Sequence, residues 1–175
     1  SLNTYYDAAM NYKEYIQLLG ENLALHQLHY KKFIISDDKL AELKSLNASR
    51  ILVITEPWCG DSLALLPVIW KMSEAKSDWE IKIILRDKHP DLIDQFLTNN
   101  VRAIPVFLFL DNSGELILKW GPRPEKAQEI FEMHRDLIAT GQLEKTEVIK
   151  KIRTFYAKNR GEAVYQDLMH SMEKK

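Results

Sequence analysis

Apolar and polar residues alternate along this chain with periods that change from block to block, and each period predicts an element. Over residues 11–32, Tyr12, Tyr15, Ile16, Leu19, Leu23 and Leu28 recur at broadly helical spacing around Gly20, which predicts one broken helix or two. Ser36-Asp37-Asp38 precedes Leu40, Leu43 and Leu46, the pattern of a capped helix. Everything before about residue 49 is therefore expected to be helical. At Arg50 the pattern changes. Ile51-Leu52-Val53-Ile54-Thr55 is a continuous β-prone run, suited to a strand buried on both faces of a parallel sheet, and Glu56-Pro57 ends it. From Cys59 to about Lys76 a helical period returns through Leu63, Leu66, Ile69 and Trp70, with Pro67 expected to kink the helix. Residues 80–85 form a second strand, so residues 50–86 read as a βαβ unit with a right-handed crossover.

Residues 90–99 suit a short helix. Val106-Phe107-Leu108-Phe109-Leu110 and residues 115–120 are two further strands, joined antiparallel by the turn residues Asp111-Asn112-Ser113-Gly114. Residues 122–139, 144–156 and 162–172 are helical patterns, with Gly121, Gly141 and Gly161 marking the turns. The segments between these glycines share no pattern, so they are not repeats. The expectation is an α/β domain of three layers, a mixed β-sheet flanked by helices. Residues 1–49 form an N-terminal helical extension packed on the core, residues 50–140 the core, and residues 141–175 a C-terminal helical extension.

Composition narrows the partners. A chain of 175 residues buries enough surface to be stable without disulfides or a structural metal. Its 24 basic residues are spread among 25 acidic ones, without the basic stripe of a nucleic-acid binder, and no nucleic-acid partner is expected. No run approaches the roughly 18 apolar residues of a membrane span. A single cysteine allows no internal disulfide, so oxidising export is not required and the chain reads as cytoplasmic.

That cysteine is the best candidate for chemistry. Cys59 lies at a strand-to-helix turn, where unpaired amides and the helix dipole favour thiolate over thiol and pull the thiol pKa down. Ser62 stands one helical turn on, positioned to donate a hydrogen bond to the sulfur. Gly60 allows close approach of another backbone. Trp58 is either a lid or contact surface over the sulfur or an aromatic anchor for the loop. The Asp61 charge opposes the thiolate, leaving the sign of the net shift open. The plain alternative is a buried, inert cysteine.

Trp58-Cys59-Gly60-Asp61-Ser62 resembles the Trp-Cys-Gly-Pro-Cys motif of the thioredoxin superfamily, with serine in place of the second cysteine. Further matches follow in order: Pro67, Asp87-Lys88-His89-Pro90, Arg102-Ala103-Ile104-Pro105, the turn at Asp111, and Gly121. The resemblance covers about residues 50–140. It implies a thioredoxin-like fold in which Pro105 is cis and faces the cysteine, while the Ile104 backbone meets an extended substrate peptide. Three departures bear on mechanism. Ser62 replaces the resolving cysteine, Val53 stands where the family has a buried carboxylate, and Ile83 stands where a lysine often supports it. Glu56 replaces that acid only by turning inward; otherwise it is a solvated loop residue.

The resemblance thus implies a monothiol thiol–disulfide oxidoreductase or isomerase. Cys59 would be its nucleophile, Ser62 a hydrogen-bond partner, and Trp58, Gly60, Asp61, Ile104 and Pro105 would shape the substrate groove. Partners are then protein or low-molecular-weight thiols and disulfides, with no cofactor and no metal. The alternative is a redox-inactive binding or scaffold protein that keeps the groove. Glutathione or iron–sulfur binding, as in monothiol glutaredoxins, ranks third because their Cys-Gly-Phe-Ser sequence is absent. His26 and His29 share a helix face, without a third ligand to complete a metal site. His89 or His134 beside Cys59 would make a nucleophile pair that no pattern supports. Tyr5, Tyr6, Tyr12, Tyr15 and Tyr30 either line a pocket, serve an interface or pack added helices. The basic lean of Lys145, Lys150, Lys151, Arg153, Lys158 and Arg160 reads as a solvated helix face.

Overall fold

A computed structural model describes residues 1–47 and 49–175. Its centre is a five-stranded sheet in the order β1-β3-β2-β4-β5. β2 (Ser49–Thr55) and β3 (Trp79–Leu85) pair parallel, with Val53 opposite Ile83, while β4 (Val106–Leu110) runs antiparallel to β2 and to β5 (Leu116–Trp120). The uninterrupted apolar runs of β2 and β4 are explained by burial on both faces. Ile51, Val53, Phe107 and Phe109 enter one core, and Leu52, Ile54, Val106, Leu108 and Leu110 the other.

The larger core lies under α5 (Gly60–Ala75), which sends in Leu63, Leu66, Ile69 and Met72 and carries Pro67 within it. α3 (Leu23–Lys32), α4 (Asp37–Lys44), α9 (Lys145–Asn159) and α10 (Glu162–Glu173) pack against α5. Ser36 caps α4 by accepting from the Lys39 amide at 3.2 Å. The opposite core takes Tyr6 from α1 (Asn3–Ala8) together with Leu92 and Ile93 from α6 (Pro90–Ile93). Helices thus cover both faces of the mixed sheet.

The N-terminal segment is not wholly helical. Met10 and Asn11 form β1, an edge strand antiparallel to β3, before α2 (Tyr12–Ile16) begins behind an Asn11–Glu14 capping box. A two-residue strand carries too few positions to show a period of two, so the pattern around it reads as helix. The expected helix over residues 90–99 also stops early. Asn99 and Asn100 adopt φ of 50° and 63°, and Thr98 bridges Val101, so the chain turns there instead. The pattern over residues 122–139 splits into α7 (Glu125–Met133) and α8 (Arg135–Ala139). At the β4–β5 hairpin, Asp111 Oδ1 accepts from the Ser113 and Glu115 amides at 2.8 and 3.0 Å, which holds the turn closed. Among the described residues, no helix is long and apolar enough to cross a membrane.

Candidate functional site

β2 ends at Thr55, and the loop after it delivers Cys59 to the N-cap of α5, with its amide bonded to the Glu56 carbonyl at 3.1 Å. Across from it, the segment entering β4 brings Ile104 and the cis Ile104–Pro105 peptide against the thiol. The thiol donates to the Ile104 carbonyl at 3.6 Å. Pro105 is backed in turn by Gly121, whose missing side chain leaves room for the Pro105 carbonyl.

The thiol pKa is raised, against the pull of the helix terminus and against the low value an active monothiol oxidoreductase would favour. Cys59 is only 7% exposed, and burial penalises the thiolate more than its other surroundings favour it. The amide and hydroxyl of Ser62 pull the value down, the Asp61 charge pushes it up, and the Asp61 amide pulls it down. The helix terminus is present, but desolvation outweighs it. Ser62 does not direct its hydroxyl to the sulfur alone. It is buried, and its Oγ pairs with the Thr55 hydroxyl behind the cysteine.

Asp61 is held from two directions. Arg123 Nε donates to its Oδ2 at 3.1 Å, and the Tyr156 hydroxyl to its Oδ1 at 2.8 Å. Tyr156 comes from α9, whose Val148, Ile152 and Tyr156 are buried at helical spacing. The same helix lays Arg153 over the start of α5, where a Cβ on Gly60 would stand 3.3 Å from Arg153 Nη2. What approaches Gly60 is therefore a guanidinium rather than a backbone. Cys59, Ile104 and Trp58 on one side, and Ile149, Ile152 and Arg153 on the other, enclose a cavity of about 230 Å³. Trp58 is 59% exposed at its rim, with the Arg86 guanidinium 5.3 Å from its ring centre. It is not anchored in the core.

A family model for thioredoxin matches residues 9–140, three quarters of the chain. The chain belongs to the thioredoxin family. Solved structures with the same fold include an HIV epitope-scaffold, at 18% identity and a TM-score of 0.77, covering 100% of this chain and 99% of that one. A protein of unknown function from Pseudomonas aeruginosa matches at 17% identity and a TM-score of 0.65, covering 97% and 95%. No curated protein matches the sequence.

Within this thioredoxin-family frame, Trp58, Cys59, Gly60, Asp61 and Ile104 line one cavity, Pro105 adjoins it, and Ser62 lies behind it. Val53 and Ile83 are fully buried apolar neighbours and supply no proton acceptor. Glu56 is not the solvated loop acid. It is 6% exposed, and its Oε1 accepts from the Asp87 amide at 2.9 Å, bracing the loop after β3. His89 meets Tyr5 edge-on and His134 bonds the Ile130 carbonyl, so each is engaged elsewhere. Tyr6, Tyr12 and Tyr15 are buried and pack the N-terminal elements.

Arg123, Ile149, Ile152, Arg153 and Tyr156 are the site residues that the sequence pattern missed. The helical spacing of the last four shows that they share a face, but nothing local shows that the face covers Cys59. The Asp61 charge gives a direct test of the site's electrostatics. Asp61→Asn keeps an acceptor oxygen for Arg123, and its NH2 can donate to the Tyr156 hydroxyl, but it removes the charge that raises the thiol pKa. Iodoacetamide alkylation of Cys59 near neutral pH should speed up about threefold. An unchanged or slower rate would show that the carboxylate does not set the thiol's state.

Proposed function

We propose that this protein is a monothiol thiol–disulfide exchange protein acting through Cys59. The observation that carries this reading is the placement of the only cysteine at the N-terminus of α5, against Ile104 and Pro105, on the floor of a cavity that opens to solvent. Deprotonated Cys59 attacks one sulfur of a disulfide, forming a mixed disulfide, and the other sulfur leaves with the bonding pair as a thiolate that takes up a proton. Ser62 cannot displace the bound group. An external thiolate must attack the substrate sulfur bonded to Cys59, expelling Cys59 as a thiolate and forming a new disulfide, so the protein itself undergoes no net oxidation.

The raised thiol pKa sets the pH dependence. Because the thiol is protonated at neutral pH, the reactive fraction grows with pH and does not level off below the ordinary thiol value. Incubation with glutathione disulfide, followed by intact-mass spectrometry, should show one glutathione adduct. Its rate should climb about tenfold per pH unit from about pH 7 to pH 9. Cys59→Ser should give none. Absence of adduct across this range would overturn the reading. It would favour the second one, a thioredoxin-fold binding protein, which the burial of the sulfur supports.

A further inference from the structure

The cavity above Cys59 differs from an open peptide groove, and its walls describe what enters it. An extended peptide would need the backbone of Ile104 free along its length, with open space at the ladder spacing of about 4.8 Å beside it. Here the Ile104 carbonyl already accepts from the thiol, and Ile149, Ile152 and Tyr156 of α9 stand across the opening. The remaining volume is about 230 Å³. It is below the ~300 Å³ at which pockets for drug-sized ligands begin. One small thiol moiety fits.

The charges are equally uneven. Asp61 is offset by Arg123, and Arg86 at the rim is paired with Asp87 at 2.9 Å. Arg153, exposed at the cavity wall beside Gly60, makes no hydrogen bond or ion pair with any described residue. The cavity wall therefore carries one positive charge with no protein counter-ion among the described residues. A guanidinium with its donors unspent recognises a carboxylate through charge-assisted hydrogen bonds.

We infer that the pocket formed by Cys59, Trp58 and the α9 face takes low-molecular-weight disulfides and thiols bearing a carboxylate, which pairs with Arg153, in preference to protein disulfides. This rests on the exchange reading above, and the step is the same: Cys59 thiolate bonds to one sulfur of the small disulfide, and the other half departs as a thiolate. The test compares dithiodiglycolate (anionic), hydroxyethyl disulfide (neutral) and cystamine (cationic) as oxidants of the intact protein, with adducts followed by mass spectrometry. Arg153→Gln is expected to slow the dithiodiglycolate reaction about fivefold, the effect of one exposed charge pair, while leaving the hydroxyethyl disulfide rate within about twofold. The cystamine rate should rise in the same variant. A dithiodiglycolate rate that Arg153→Gln leaves unchanged would overturn the proposal while leaving the exchange reading intact. So would an equal wild-type rate with an extended peptide carrying an activated disulfide. Failure of all three small disulfides to form any adduct would instead remove the exchange reading itself.

Discussion

Gly121→Ala should destabilise the fold by about 3 kcal/mol, far more than an alanine at most turn glycines. Gly121 has φ of +108°, and a Cβ there would lie 2.5 Å from the Pro105 carbonyl oxygen and 3.7 Å from Phe107 Cδ2. The first obstacle is backbone, and it cannot rotate away as a side chain would. It leads directly into β4, whose Phe107 is paired in register with Trp120, the residue before Gly121. Relief therefore requires moving the Ile104–Pro105 segment away from β5 or opening the ladder. Gly141→Ala is the matched comparison. Its φ of +76° carries the same kind of backbone penalty, but a Cβ there meets nothing within 4 Å. That variant should cost only about 1 kcal/mol. Urea unfolding measures both, and equal losses at the two positions would show that the close approach to Pro105 costs nothing. Because Ile104 accepts from the Cys59 thiol, Gly121→Ala should also change the alkylation rate of Cys59.

Acid should remove about 3 kcal/mol of stability between roughly pH 6.5 and pH 4, through His26. His26 is 2% exposed in α3, and its Nε2 pairs with the Tyr12 hydroxyl while Tyr12 stacks on Trp70 with ring centres 3.8 Å apart. Burial, reinforced by His29, lowers its pKa to about 4, and burial raises that of Tyr12, so both partners are neutral. The unfolded chain binds the proton near the ordinary value of 6.5 and the folded chain only near 4. The full contribution is therefore present above about 6.5, declines as pH falls, and is gone below about 4. His29, also lowered by burial, adds to the loss in the same direction. Asp78, Asp91 and Asp111 have lowered values, so their losses fall below the ordinary aspartate value of 3.8, and the lowered Glu132 enters only near the window's acid end, below 4.5, which leaves the rest of the window to the histidines. Denaturation curves at pH 7 and pH 5 should separate clearly in the wild type and converge in part in His26→Gln, whose amide can still accept from Tyr12. An unchanged pH slope in that variant would assign the acid loss elsewhere.

The parts of this fold that were legible beforehand are those in which local pattern and burial agree. β2 and β4 are solid apolar runs because both faces of the sheet are covered, and the β4–β5 turn is written in Asp111 and Gly114. β1 was not legible, since two residues at a sheet edge leave no periodic trace. The burial of Glu56 was also hidden, because it depends on an amide 31 residues away in sequence. The site divides in the same way. Cys59, Gly60, Asp61 and Ser62 are contiguous and recognisable. Whether the thiol is acidic or not depends on how deeply it is covered, and that depth comes from elements distant in the chain. Arg153 read as one more cation on a mixed, charged helix, because its position above Gly60 is a property of packing rather than of helix α9 alone.

The bond between Tyr156 and Asp61 joins residues 95 positions apart. A chain emerging from the ribosome can therefore form β2, α5, β3 and the β4–β5 hairpin, and with them the cysteine and its facing proline, well before the wall that confines them exists. Contacts of such high sequence separation close late, because their loop entropy must be overcome before they are rewarded. The reactive centre is thus assembled in two instalments, first an open thiol on a nearly finished sheet and then its enclosure. The late-emerging α9 closes over a thiol that earlier parts of the chain have already placed.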